Sequence, residues 1–226
     1  VSASGIDLSK IKDYSIAILY QLPSRNFDAS KLIATLKNYR IPIWCIAGNN
    51  SAIEKLGQIA ASARIDLNGG RYSDALPVIH SGFTSFTPSQ ELITALADFP
   101  PLRTPYGNYL SNGAEVLLKQ KIGSVETDQP LWMFSNLNGE KSAFLFGEGY
   151  WRWRLYDFLK NGNHNASSEL VNKTVQYLSV KEDKRRFRAY PVRREFEEDE
   201  NIRFSAELYN ASYEPVADAE IKLSLY

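Results

Sequence analysis

The chain has 226 residues, of which 44% are hydrophobic and 12% aromatic, and this is enough apolar material for a packed interior. Its 26 lysines and arginines balance 26 aspartates and glutamates, so no net positive charge favours nucleic acid as a partner. No apolar run approaches the roughly 20 residues that a membrane-spanning helix needs, and we expect no membrane span within this segment.

Strands and helices are predicted to alternate near the start of the chain. Residues 15–20 and 41–47 are short apolar runs of the length of buried strands. Asp28 is placed to cap a helix after the first run, and Ser51 with Glu54 forms a capping-box pattern after the second. Short connections between these elements predict a right-handed parallel strand–helix–strand unit.

The pattern then weakens, and residues 65–88 indicate irregular strands and loops. Pro88 is predicted at the first position of a helix that ends at residues 99–102. Residues 115–122 favour a strand, and an Asn138-Gly139 turn predicts a hairpin. The hairpin strands are residues 131–136 and 141–147. The domain at residues 1–184 is therefore predicted to be α/β, with a mixed, mainly parallel sheet flanked by helices.

The last part of the chain changes character. Helices are predicted at residues 151–160 and 168–179. Three strands without intervening helices follow, around an acidic stretch at 195–200; they are residues 187–192, 202–209 and 219–226. Residues 185–226 are therefore interpreted as the first strands of a β-sandwich. An exposed strand edge there would allow pairing with a second copy, as a homodimer.

Residues 147–155 form the most informative motif, because a carboxylate between two glycines precedes two tryptophans and two arginines. The pattern predicts a strand end, a tight turn and a helix start. In one interpretation Trp151 anchors the helix on the sheet, while Arg152 or Arg154 pairs with Glu148 or stacks on an aromatic side chain. In the other, the arginines form an anion or carboxylate pocket at the helix N-terminus.

Residues with catalytic or metal-binding chemistry are few. Cys45 lies inside an apolar strand without a basic neighbour, which favours a buried structural thiol. His80 is a candidate base, although a lone histidine in an apolar strand is more often structural. Nucleophile-elbow and phosphate-binding glycine motifs are absent, and one cysteine and two histidines predict no disulfide and no metal site. We therefore expect no cofactor.

Several segments resemble a family of uncharacterised bacterial envelope proteins that contain a class I glutamine-amidotransferase-like domain. The matching segments are residues 41–48, 99–102, 130–131, 147–155, 176–179 and 206–210. The resemblance implies an amidotransferase- or flavodoxin-like α/β fold and anchoring by membrane helices outside this segment. It also implies an extracytoplasmic location and, in some members, a von Willebrand A-like domain in the same or a neighbouring polypeptide, but no known reaction.

The chain departs from active amidotransferases at their catalytic positions. Those enzymes carry a cysteine on a nucleophile elbow and a histidine after a late strand. Here Gly147 stands where the histidine is expected, and Cys45 is not on an elbow. The resemblance therefore implies an amidotransferase-like scaffold without a recognisable catalytic triad.

Two functional hypotheses follow. The first is a non-catalytic recognition or assembly module of a larger envelope protein, whose partner is a protein or a small molecule. The second is a degenerate hydrolase or amidotransferase-like site at the carboxyl ends of the strands. The candidate ligand or partner residues are Gln21, Asn49, Asn50, Glu148, Arg152 and Arg154. The absence of a recognisable triad favours the first hypothesis.

Overall fold

The computed structural model describes residues 5–180, 187–193, 200–208, 216 and 221–222. The chain divides into two compact units, Val1–Lys181 and Glu182–Tyr226. The predicted domain boundary at residue 184 lies outside the described residues, as does most of the predicted strand 219–226.

In the first half of the first unit, strands alternate with helices, and two helices follow its last strand. Its strands are β1 Ala17–Tyr20, β2 Ile43–Ala47, β3 Arg64–Ile79, β4 Leu102–Leu110, β5 Ala114–Ile122, β6 Val125–Leu137 and β7 Glu140–Phe146. Its α-helices are α1 Ser30–Asn38, α2 Gln90–Leu96, α3 Tyr150–Asn161 and α4 Asn165–Ser179, and 3-10 helices span Leu8–Asp13 and Ile53–Gln58. In the described part of the chain, no helix combines the length and apolar character needed to cross a membrane.

The second unit is described through one strand pair. β8, Phe187–Pro191, runs antiparallel to β9, Phe204–Leu208. The predicted strands at 187–192 and 202–209 are therefore present. Assignment to a β-sandwich and pairing with a second copy stay predictions.

The seven strands of the first unit form one mixed sheet in the order β1-β2-β7-β6-β5-β3-β4. The predicted mixed α/β class is confirmed, and β1 lies parallel to β2, as the strand–helix–strand pattern indicates. Parallel pairing is limited to β1–β2 and β2–β7, and the other four pairs are antiparallel. The parallel share is smaller than predicted because short turns join β5, β6 and β7, and strands joined by short turns must run antiparallel.

The antiparallel part of the sheet closes on itself through one backbone bridge. Arg103 in β4 and Glu148, just after β7, each donate an N–H to the other's carbonyl at 3.0 Å. The order β7-β6-β5-β3-β4 therefore returns to the end of β7. This places Glu148 where three parts of the sheet meet.

The core lies on both faces of this sheet. On one face the buried side chains of α1 and the Ile53–Gln58 helix pack against Cys45 and Phe144. On the other, α2, α3 and α4 pack against Trp44 and Trp132. Adjacent residues such as Trp44 and Cys45 thus enter different cores, because successive side chains of a strand point to opposite faces. The helices flank the sheet as predicted.

The Asn138-Gly139 hairpin is confirmed. Both residues have positive φ, 55° and 80°, as the two-residue turn with the twist of the flanking strands requires.

Two local predictions are wrong. Residues 51–54 form no capping box, and Ser51 Oγ instead accepts from the Gly48 N–H at 3.0 Å. The irregular strands and loops predicted at residues 65–88 are confirmed, since the long strand β3 contains a register shift and a loop follows it. Pro88 precedes the helix cap, since Ser89 Oγ accepts from the Leu92 N–H at 3.1 Å.

Candidate functional site

Four of the predicted ligand residues lie together at the carboxyl ends of the parallel strands. Gln21 follows β1, Asn49 and Asn50 follow β2, and Glu148 follows β7. The sequence predicts this meeting point, because the carboxyl ends of adjacent parallel strands lie at the same edge of a sheet.

The polar side chains at this edge are bonded mainly to the protein's own backbone. Glu148 Oε2 accepts from the Asn49 N–H at 3.1 Å, and Gln21 Oε1 accepts from the Asn50 N–H at 3.1 Å. The backbone of Glu148 is also paired with Arg103. Glu148 therefore ties together the ends of β2, β4 and β7, which is a structural role.

Two further residues complete this cluster, and sequence reasoning missed both. The Tyr72 hydroxyl donates to the Asn49 carbonyl at 3.4 Å, and the Arg103 guanidinium lies 5.4 Å from the centre of the Tyr72 ring. Both residues belong to β3 and β4. No local sequence signal indicates that β3 and β4 lie near β2. Their proximity arises because the bridge between Arg103 and Glu148 closes the sheet.

Neither predicted arginine pairs with Glu148. Arg152 Nη2 donates to the Pro101 carbonyl at 2.7 Å, and Arg154 Nη1 donates to Ser168 Oγ at 3.3 Å. Arg152 lies against Gly149, where a Cβ atom would be only 2.6 Å from its Nη2. The two arginines are therefore held apart from the glutamate, and no anion pocket is formed by all three.

The motif at residues 147–155 instead attaches α3 to the segment at 99–102. Trp153 is fully buried, its Nε1 donates to the Pro100 carbonyl at 2.7 Å, and its ring stacks on Phe99 at 5.1 Å. Gly147 is needed because a Cβ there would lie 2.9 Å from Leu102 Cβ. Two segments that the sequence singles out separately are therefore in direct contact.

The predicted anchoring role of Trp151 is wrong, because this side chain is 65% exposed. It belongs to an exposed apolar face of α3, which we call the α3 face. Its other members are Leu155 at 50%, Phe158 at 50% and Leu159 at 74% exposure. Residues two apart on a helix point to nearly opposite sides, so Trp153 faces the core and Trp151 faces away.

The charges of α3 are distributed unequally around the helix. Its only acidic residue, Asp157, is buried and accepts hydrogen bonds from the Ser167 N–H and hydroxyl at 2.8 and 2.9 Å. Arg154 and Lys160 are exposed, and Lys160 pairs with Asp98. The exposed surface of the helix is thus apolar, with the cationic Arg154 at its edge.

Asp157 stays ionised despite its burial. Burial alone raises its pKa, but hydrogen bonds from Ser167 and from Asn161 Nδ2, the latter at 3.0 Å, outweigh this and lower the pKa below its ordinary value. The carboxylate therefore joins α3 to the start of α4.

The candidate nucleophile Cys45 has a structural setting, and the candidate base His80 is half-buried just after β3. Cys45 is completely buried, and burial raises the pKa of its thiol to about 12, so a thiolate is not populated at neutral pH. The backbone N–H of His80 donates to the Leu117 carbonyl at 2.9 Å. Across the described residues, no group of three or more potential metal ligands is found.

A polar cleft of about 410 Å³ is formed by residues of β3 to β6, and none of the predicted ligand residues lines it.

Comparisons with known proteins leave the family open. No family model matches the chain, and no curated protein matches it. Among solved structures, the chain is similar to Cytoplasmic Protein STM3548 from Salmonella typhimurium, at 14% sequence identity and a TM-score of 0.48, over 76% of this chain and 74% of that chain. The name of that neighbour describes it as cytoplasmic, which differs from the extracytoplasmic location predicted for this chain, and the amidotransferase-like family stays a prediction.

Proposed function

We propose that this chain is a non-catalytic recognition or assembly module that binds a partner protein through the α3 face. The observation that carries the proposal is the exposure of Trp151, Leu155, Phe158 and Leu159 on one side of a single helix. Isolated exposed apolar residues are ordinary, but a contiguous group of large ones is typical of interaction sites.

The composition of the α3 face suits a protein interface. Aromatic residues with large apolar area act as anchors in such interfaces, and Trp151 and Phe158 provide two of them. The helix beneath is fixed by the burial of Trp153 and Asp157. A rigid helix loses little conformational entropy on binding, so the exposed anchors are already placed for a partner.

The charges of this face define the chemistry of the partner. Arg154 is exposed and its guanidinium donates to the neutral Ser168 hydroxyl, while Asp157 is turned into the core. The matching surface has apolar side chains flanked by acidic ones. Two copies of the α3 face would bring like charges together, which disfavours self-association through it.

The alternative, a degenerate small-molecule site at the strand ends, has less support. Glu148 and Gln21 are occupied by backbone N–H groups of the following loop. One observation favours it: within the described residues, the buried side-chain oxygen of Asn49 has no hydrogen-bond donor.

Binding by the isolated chain tests the proposal. A partner captured from extracts of the source organism would be purified and titrated against the chain by calorimetry. Trp151→Ala combined with Leu155→Ala should weaken binding at least 100-fold, since each anchor contributes about 2 kcal/mol or more. Arg154→Glu should weaken it further at low salt.

The matched control is Ile93→Ala, which removes an exposed apolar side chain from α2 instead of α3. Binding that is unchanged in the double variant, or reduced equally in the control, would refute the assignment of the α3 face. If the chain associates with itself in a way that depends on Trp151, the partner is a second copy of the chain and not another protein.

A further inference from the structure

The polar cleft is a separate feature from the α3 face. Its volume of about 410 Å³ is in the range of about 300–1,000 Å³ that small-molecule sites occupy. Residues of four neighbouring strands line it, and their polar side chains include Asp66, Asn68, Tyr106, Asn108, Gln120 and Gln129. None of them belongs to α3, so the cleft does not depend on the proposed function.

One wall of the cleft is a large irregularity in β3. Leu67 pairs with Gly107 and Tyr72 pairs with Pro105, so residues 68–71 of β3 lie opposite Tyr106 alone. Such a bulge bends its strand away from the ladder. The guanidinium of Arg71 lies 5.5 Å from the centre of the Tyr106 ring and connects the bulge to β4.

Glycines make this wall possible. Gly69 and Gly70 have φ of 66° and 65°, a region that other residues rarely adopt. A Cβ atom at Gly107 would lie 2.4 Å from the Asp66 carbonyl oxygen. The bulge therefore depends on glycine at positions that a plain strand would not require.

The opposite wall is an ordered hydrogen-bond network. Gln129 Oε1 accepts from the Tyr109 N–H at 2.8 Å and spans the space between β6 and β4. Buried Gln120 accepts from the Thr104 hydroxyl at 3.1 Å and donates from Nε2 to the Pro130 carbonyl at 2.9 Å. Groups held in this way keep the cleft open without rearrangement.

Two side chains in the cleft have hydrogen-bonding capacity to offer a ligand. Asp66 lies directly opposite Asn108 in the β3–β4 ladder, so the two side chains share one face of the sheet. Within the described residues, neither side chain has a hydrogen-bond partner, and both residues are exposed. Together they provide a carboxylate acceptor and an amide that both donates and accepts.

The charge of the lining excludes some ligand classes. Asp66 is its sole charged residue, and no lysine or arginine lines the cleft. An anionic ligand would meet the Asp66 carboxylate, while the neighbouring Arg71 already donates to Asn68 Oδ1 at 3.4 Å and lies over the Tyr106 ring. A single carboxylate among amides and a tyrosine also offers little to a polycation.

We propose that this cleft binds a neutral, hydroxyl-rich small molecule, with saccharides as the ligand class. Adjacent hydroxyls of a sugar donate to the Asp66 carboxylate and exchange hydrogen bonds with the Asn108 amide. The ring of Tyr106 supplies apolar surface beside these polar groups, and the bulge encloses them from one side. The ligand is recognised by hydroxyl geometry and not by charge.

Titration of the whole chain with glucose, galactose and maltose, followed by ligand-observed NMR and calorimetry, tests this proposal. Glucose 6-phosphate and spermidine serve as anionic and cationic probes. At least one neutral sugar should bind, and Asp66→Ala should weaken that binding at least tenfold, because hydrogen bonds to a charged group are the stronger ones. Asn108→Ala should weaken it about threefold, as expected for a neutral hydrogen bond.

Asp74→Ala is the matched control, since Asp74 is an exposed aspartate of the same strand that does not line the cleft. It should leave sugar binding unchanged, and circular dichroism should show all three variants folded. Absence of binding by every neutral sugar at millimolar concentration would overturn the proposal. Tighter binding of glucose 6-phosphate or spermidine, or an equal loss in Asp74→Ala, would overturn it as well.

Discussion

The two sides of helix α3 contain the same residue type with opposite roles. Trp153 is fully buried against Phe99 and bonded to Pro100, whereas Trp151, two positions earlier, is largely exposed. The difference shows that a conspicuous Trp-Arg-Trp-Arg pattern has a buried side and an exposed side. The buried side fixes the helix to the sheet, and the exposed side is the one through which we propose that a partner binds.

Among the substitutions that test this comparison, loss of the buried tryptophan should have the largest effect on stability. We expect Trp153→Ala to lower the free energy of unfolding by about 3–5 kcal/mol, because it removes a large core side chain and leaves a cavity. Trp151→Ala is the matched control and should change it by less than about 0.5 kcal/mol. Urea unfolding measures both, and similar losses in the two variants would remove the distinction between the sides.

The buried carboxylate on the core side gives a pH-dependent prediction. At neutral pH, Asp157→Asn should lower the free energy of unfolding by about 2 kcal/mol, through weaker hydrogen bonds to Ser167 and Asn161. Since folding lowers the pKa of Asp157, its contribution is present above the pKa of the unfolded chain and disappears as pH falls through the lower folded value.

The difference between wild type and Asp157→Asn should therefore shrink between about pH 5 and pH 2. Denaturant unfolding over this range measures it. Asp74→Asn is the control, because Asp74 is an exposed aspartate of β3. A difference that stays constant with pH would contradict an ionised, hydrogen-bonded Asp157.

The smallest predicted difference in stability is the one between the two arginines of α3. Arg152→Ala should lower the free energy of unfolding by about 1.5 kcal/mol, since it removes a charged donor from the Pro101 carbonyl. Arg154→Ala should have almost no effect on stability but should weaken partner binding. Thermal unfolding compares the two, and a larger loss for Arg154→Ala would contradict their assigned roles.

Local elements of the fold were predictable where a short-range pattern determines them. The apolar runs of β1 and β2, the Asn138-Gly139 turn and the glycine-bounded start of α3 are examples. β4 was missed, because Arg103, Pro105 and Asn108 make its sequence look like a loop. Its strand conformation depends on pairing with β3 and on the Arg103–Glu148 bridge, which are contacts between distant parts of the chain.

The candidate site was predictable in position and not in role. Adjacent parallel strands bring Gln21, Asn49, Asn50 and Glu148 to one edge, and the order of strands and helices in the sequence indicates this. Whether Glu148 is free for a ligand depends on which N–H groups lie within hydrogen-bond distance. Those groups come from Asn49 and Arg103, 99 and 45 positions away along the chain.

The α/β class, the hairpin and the strand–turn–helix pattern of residues 147–155 are predictable from the sequence alone. Periodicity, turn residues and glycine placement act over a few residues, and these features need nothing more. Tertiary contacts determine which tryptophan is buried, which backbone groups Glu148 bonds, and how β3 and β4 enclose a polar cleft. Burial and hydrogen-bond partners depend on segments that lie far apart in the chain, and no local sequence pattern indicates which of these segments come together.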